Sequence, residues 1–186
     1  MSDAVVRYAV SNRIAHVVLD RPPVNALSLD MIRAVVAALR RATADDEARA
    51  VVLTSAVARH FCAGLDLAML LDKTSEQIRE FLQALYVDLH DSQYNLGKPS
   101  IAAVGGTARG GGMTMAISCD VIVAGRSATF GYPEINIGVL PAIHFAHLPR
   151  IVGRHRAFEL LFTGRTFDAQ EASELGLVSK VVPDGE

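Results

Sequence analysis

The chain has 186 residues, 51% of them hydrophobic and 20% charged, with a formal net charge of −2. That length suits a single domain, residues 1–186, with a sizeable core, and the apolar content excludes extended disorder. The near-neutral balance argues against nucleic acid or a membrane surface as partner.

No run approaches the ~18 consecutive apolar residues of a spanning helix, and the opening MSDAVVRYAV lacks a signal-peptide core. Two cysteines, Cys62 and Cys119, form neither a disulfide framework nor a zinc spacing, so a reducing, cytoplasmic setting is expected.

In chain order, residues 5–10 and 14–19 are β-rich runs around Ser11-Asn12-Arg13 and predict an antiparallel hairpin. RPPVNAL is an extended loop, because Pro22 and Pro23 oppose helix. Ser28 or Asp30 caps a helix to about Thr43, and residues 51–53 form a short buried strand. RHFCAGLDLAML reads as an extended run, a glycine turn and a helix start. From a Thr74 cap, a long helix runs to about Asn95, with Ile78, Phe81, Leu82, Leu85 and Leu89 on one face. Gly97-Lys98-Pro99 ends it. SIAAV is a strand, followed by glycines and a helix start near Gly111. DVIVAG and ATFG are strands, and the remainder is mostly helical before a last strand over 178–182. The order strand, loop, Gly turn, helix start occurs twice, with Leu65 and Gly111 in comparable places. Stacked units of this kind predict a spiral α/β core with helices outside.

The triplet Gly110-Gly111-Gly112 needs a reason, since glycine costs about 1 kcal/mol relative to alanine inside a helix. Either a ligand oxygen touches this backbone, or helix and strand pack tightly there. Two glycine turns in matching units favour the first reading: unpaired N–H groups at two turns, converged on one point, make an oxyanion hole. A nucleotide loop fits poorly, because GGTARGGGMT lacks both the P-loop ending and the Rossmann spacing.

RPPVNALS, FCAGLDLAML, ARGGGMTMAISCDVIVAG, FGYPEINIGVLP and FTGRTFDAQEASELGLVSKVVPDG follow one another in the sequence. Together they resemble the enoyl-CoA hydratase/isomerase family, the crotonases, over nearly the whole chain. The resemblance implies an α/β fold, a crotonase-like spiral of β-β-α units. It implies an acyl-CoA thioester as ligand, with coenzyme A present only as part of the substrate and no separate cofactor or metal. The thioester oxygen would sit between the N–H groups of Leu65 and Gly111. Ala63, Asp66, Leu67 and Ala68 would line the coenzyme A end, with Asn25 and Ala26 close by. Gly110, Thr114, Pro133 and His144 complete the expected substrate-binding set.

Hydratases of the family commonly carry two glutamates. The second matches Glu134. The first falls at Thr114, whose hydroxyl cannot serve as a base near pH 7. A single base suffices for moving a proton along an acyl chain, as in the family's isomerases. The other readings are weakened hydration, thioester hydrolysis or decarboxylation on the same oxyanion hole, and acyl-CoA binding without catalysis.

The family usually shows Pro-Gly and then a Gly-Gly pair where this chain reads LPAIHFAH, so Ala142, His144 and Phe145 stand out. His144 is either a replacement acid/base or a side chain packed at a helix start. Cys62 near His60 suggests a thiol nucleophile or, more simply, a buried thiol. Arg21, Arg109 and Lys98 are candidates for coenzyme A phosphates, or solvated surface; Asp45-Asp46 reads as a solvated turn. Relatives usually continue past VVPDG with helices that pack across a trimer interface. The expected assembly is a homotrimer or a dimer of trimers, with that helical region truncated in this sequence.

Overall fold

The computed structural model describes residues 4–69 and 71–186. The N-terminal hairpin forms as expected from its alternating pattern: β1 (Val6–Ser11) pairs antiparallel with β2 (Ile14–Leu19). Ala15, Val17 and Leu19 of β2 point into the core. The 16-residue helix α1 (Leu29–Ala44) starts at Ser28, whose hydroxyl accepts from the Met31 N–H. Its buried face carries Met31, Ile32, Val35, Val36, Leu39 and Ala42. At its far end Lys98 donates to the carbonyls of Ala42 and Asp45, closing off groups that a helix terminus leaves unpaired.

Six more strands follow in pairs: β3 (Ala50–Ser55) and β4 (His60–Cys62), β5 (Ser100–Val104) and β6 (Thr107–Arg109), β7 (Val121–Gly125) and β8 (Thr129–Gly131). The first member of each pair joins a six-stranded sheet in the order β1-β2-β3-β5-β7-β10, parallel apart from the hairpin. The second member joins a four-stranded sheet, β4-β6-β8-β9. Here β9 is Thr166–Asp168, antiparallel to β8, and β10 is Lys180–Val182. The repeated unit seen in the sequence is thus a strand for each sheet followed by helix or turn, and the spiral is realised.

Between β4 and β5, α2 (Ser75–Gln83) begins in a capping box of Thr74 and Gln77. It continues through a π-turn over Ala84–Asp88 into α3 (Leu89–Tyr94). The expected apolar stripe is only partly buried: Phe81, Leu85 and Leu89 are inside, whereas Ile78 and Leu82 stand 37% and 39% exposed. The helix start expected in RHFCAGLDLAML is a single 3₁₀ turn, Leu67–Met69.

Helix α4 (Gly111–Ile117) follows β6, and a 3₁₀ turn, Pro133–Ile137, follows β8. Helices α5 (Ala142–Val152), α6 (Arg154–Thr163) and α7 (Ala169–Glu174) complete the order. Among the described residues no helix is long and apolar enough to cross a membrane.

Candidate active site

The two glycine turns converge at the ends of neighbouring strands of the smaller sheet. After β4 the chain turns at Gly64, with φ of +97°, and Leu65 bridges to Leu27. The Leu27 N–H donates to the Gly64 carbonyl, and the Asp66 N–H to that of Leu27. After β6 it turns at Gly110, with φ of +47°, into α4. A Cβ added to Gly64 would lie 3.0 Å from the Arg109 carbonyl oxygen and 3.7 Å from the Gly111 nitrogen. Such proximity brings the backbones of the two turns together. Among the described residues, neither the Leu65 nor the Gly111 N–H has an acceptor within the protein. Buried or half-buried N–H groups are nearly always paired, and these two, on adjacent turns, are left open.

Each glycine of the triplet answers to a different neighbour. A Cβ at Gly110 would lie 2.9 Å from Oε1 of Glu134, and one at Gly111 would press on Leu27 and Leu65. At Gly112 it would collide with the Cys62 backbone. Tight packing therefore accounts for Gly112, whereas Gly110 makes room for a carboxylate.

Glu134 sits on the 3₁₀ turn after β8 and extends over Gly110. Its Oε2 is buried and has no hydrogen-bond partner among the described residues. Burial pushes its pKa up, opposed only by a bond to its own backbone. A carboxylate so placed holds a proton more readily than one in water and gives it up less easily. Two phenols feel its charge. Tyr132 and Tyr86 are both raised, by burial first and then by Glu134. Tyr86 lies in the π-turn of the long helix, and nothing in the sequence pattern singled it out.

A small cleft of about 70 Å³ opens on this point. Of the residues expected in the site, Ala63, Leu65, Leu67, Gly110, Gly111, Pro133 and Glu134 line it, joined by Gly64, Ile137 and Val139. Glu134 carries the one carboxylate among these lining residues. Asn25 is fully buried instead. Its side chain accepts from the Arg21 N–H and donates to Ser55 and to the Phe61 carbonyl, so it ties the RPPVNAL loop to the start of β4. Asp66 pairs with Arg21 at 2.8 Å, and Arg21 also donates to the Ala26 carbonyl. Ala68 is exposed on the 3₁₀ turn.

Thr114 and His144 are 2% and 1% exposed and lie behind the glycine turn, off the cleft wall. His144 Nε2 is 3.2 Å from Thr114 Oγ1, which lies 3.5 Å from the Gly110 carbonyl oxygen. Burial pushes the His144 pKa down to about 4, while a hydrogen bond to the Gly110 backbone pulls it back up. A neutral, sealed imidazole is no acid or base for a ligand in the cleft. Cys62 is likewise fully buried, and its thiol is pushed up to about 12. That excludes the thiolate a nucleophile requires. Lys98 is spent on the end of α1, and Arg109 lies half-buried against Thr129 and Thr166.

The family model for enoyl-CoA hydratase/isomerase matches residues 9–186. The chain belongs to the enoyl-CoA hydratase/isomerase family. A Mycobacterium tuberculosis protein named as a probable enoyl-CoA hydratase, echA8, is 39% identical over 176 residues, covering 92% of this chain and 66% of that protein. Solved structures match nearly the whole of this chain. An enoyl-CoA hydratase from Bacillus anthracis superposes with a TM-score of 0.91 at 34% identity, covering 97% of this chain and 70% of the other. Pseudomonas aeruginosa DspI superposes with a TM-score of 0.93 at 30% identity, covering all of this chain and 77% of the other. The chain thus spans slightly less than two thirds of the length of the mycobacterial relative.

Proposed function

We propose that this chain works as an acyl-CoA enzyme that stabilises a thioester enolate between the N–H groups of Leu65 and Gly111, with Glu134 as the acid/base. The observation that supports the reading is a half-buried carboxylate with an unpartnered Oε2 beside two neighbouring glycine turns on which the Leu65 and Gly111 N–H groups are unpaired. Removing a proton next to a thioester carbonyl puts negative charge on its oxygen. Donors fixed in advance around that oxygen are worth about 3–4 kcal/mol each. A carboxylate with its pKa raised toward the working pH is a better match for that proton than an ordinary one.

Proton transfer along the acyl chain fits this arrangement best. It needs one base, and Glu134 supplies it. Hydration also needs a group to activate and place a water, and at Thr114 the chain offers a hydroxyl sealed behind the turn. The mycobacterial relative's name favours hydration as the second reading. Assembly as a homotrimer or dimer of trimers belongs to the same proposal and is measured by sedimentation.

Glu134→Gln tests the assignment. The variant keeps shape and cannot take a proton. Incubated with a 3-enoyl-CoA in deuterated solvent and followed by NMR, it should bind the thioester yet incorporate no deuterium at the α- or γ-carbon. Undiminished incorporation would move the base elsewhere. Product analysis of the unaltered protein on a panel of acyl-CoAs separates isomerisation, hydration, hydrolysis and simple binding.

A further inference from the structure

We infer that His144 is a positioning residue for the oxyanion hole, acting through Thr114 on the Gly110–Gly111 peptide. The inference rests on the acyl-CoA reading above and assigns a role to a side chain set behind the cleft.

The observations form a short chain of contacts. His144 enters from the first turn of α5 and is 1% exposed. Its Nε2 lies 3.2 Å from Thr114 Oγ1, and that oxygen lies 3.5 Å from the Gly110 carbonyl oxygen. The Thr114 N–H donates to the same carbonyl at 3.0 Å. The tautomer follows from the partners. Thr114 Oγ1 donates to the Gly110 carbonyl and so accepts on its other side, which puts the ring proton of His144 on Nε2. The buried Nδ1, without a partner among the described residues, is then an unfilled acceptor rather than an orphaned donor. Tyr132 fixes the ring plane, its centroid 4.5 Å away in an edge-on arrangement.

The consequence runs through one peptide bond. In a planar trans peptide the carbonyl and the N–H point in opposite directions. Holding the Gly110 carbonyl inward against Thr114 and His144 aims the Gly111 N–H outward, into the cleft that Gly110, Gly111 and Glu134 line. Donors on the carbonyl also polarise the peptide, which makes its N–H a stronger donor, because linked hydrogen bonds reinforce one another. Gly110 itself supplies no side chain to hold this peptide, and its φ of +47° is one that glycine adopts with little penalty. The Thr114 N–H already holds this carbonyl as the first bond of α4, and the Thr114 hydroxyl backed by His144 adds a second restraint on it.

Two substitution pairs separate this role from plain packing. His144→Leu removes the donor and His144→Gln returns an N–H near the Nε2 position; Thr114→Val removes the hydroxyl and Thr114→Ser keeps it. With a 3-enoyl-CoA, the Leu and Val variants should lose roughly tenfold in kcat, below the 10²–10³ that deletion of a whole oxyanion donor costs. KM should change by less than about twofold, and the Gln and Ser variants should recover most of the loss.

Infrared difference spectra of a bound, unreactive acyl-CoA read the donors directly. The thioester carbonyl band, lowered in the unaltered protein, should move back toward its free position in the Leu and Val variants and return in Gln and Ser. The ¹⁵N shift of Gly111 in the ligand-free protein should follow the same order. Equal bands and equal kcat in all four variants would overturn the inference while leaving the acyl-CoA reading intact. A thioester band at its free position in the unaltered protein sinks that reading, and the inference with it.

Discussion

The Glu134 carboxylate occupies the space that a side chain at Gly110 would need, with Oε1 2.9 Å from where a Cβ would stand. Gly110 is therefore required twice, by its φ of +47° and by its neighbour. Gly110→Ala should strain the turn and push the carboxylate out of line. A misplacement of about 1 Å can cost 10²-fold in rate, so proton exchange should fall at least that far. Stability should drop by about 1–2 kcal/mol. Deuterium incorporation and chemical denaturation measure the two effects, and an unchanged exchange rate would show that Glu134 tolerates displacement.

Glu134 should also cost the protein stability. Its folded-state pKa is raised by burial. The folded state therefore holds the proton longer than the unfolded chain does, and stability declines as pH rises through the shifted value. Above it, a charged carboxylate with an unpaired Oε2 remains in a half-buried site. Glu134→Gln should melt higher than the parent at pH 8, with the advantage shrinking at pH 4. The acidic limb of kcat/KM in the parent should lie above the ordinary carboxylate range, with rate rising as Glu134 loses its proton. Calorimetry at both pH values and a rate profile check the pair of effects. An equal melting advantage at both pH values would mean that the charge is not its source.

His144 carries the opposite linkage. Its folded-state pKa is pushed down to about 4 by burial, helped by the nearby His147 and opposed by Gly110. The unfolded chain takes up a proton near pH 6.5 and the folded chain does not, so stability present above 6.5 is lost as pH falls toward 4. A gap of that size corresponds to about 3 kcal/mol. Denaturant titrations at pH 7 and pH 4 should show this loss in the parent and a loss smaller by about that amount in His144→Gln. Equal losses would mean that His144 is already protonated in the fold.

Much of the fold was readable because local and global preferences agree. The hairpin, the Ser28 cap of α1, the Thr74 cap and the long strands all carry periodic or capping signals. Two strands carry no such signal, β6 and β9, each of three residues. Their Thr, Ala, Arg, Phe and Asp content has no period of its own; they are strands because the smaller sheet pairs them. The π-turn and Tyr86 were invisible because one extra residue in a helical turn leaves no mark on a 3.6-residue stripe.

At the site, the glycines announced that something approaches closely. What approaches each differs, and only tertiary contact reveals it: Glu134 at Gly110, Leu27 and Leu65 at Gly111, the Cys62 backbone at Gly112. The same holds for Asn25 and His144. Both stand in stretches that resemble binding motifs, yet each side chain is turned inward, Asn25 onto backbone and His144 onto the Thr114 hydroxyl.

The Thr114–His144 pair also explains what a single substitution toward the two-glutamate pattern would do. The resemblance that identifies the family expects a glutamate at position 114 and a glycine pair at positions 144 and 145. This chain reverses both sizes, with a small hydroxyl at 114 and an imidazole at 144, and the two side chains meet at 3.2 Å. Thr114→Glu alone would force a longer, charged side chain against a buried ring. Overpacking of that kind costs about 1–3 kcal/mol, and the carboxylate would be held by a protonated His144 rather than offered to water. The single variant should therefore be destabilised and hydrate crotonyl-CoA no better than the parent. Thr114→Glu combined with His144→Gly opens the space, and this double variant should gain hydration by 10²-fold or more, the lower end of what a positioned acid/base contributes. Crotonyl-CoA hydration followed by ultraviolet absorbance decides the matter. Equal gains in the single and double variants would show that His144 does not occupy the room a first glutamate needs.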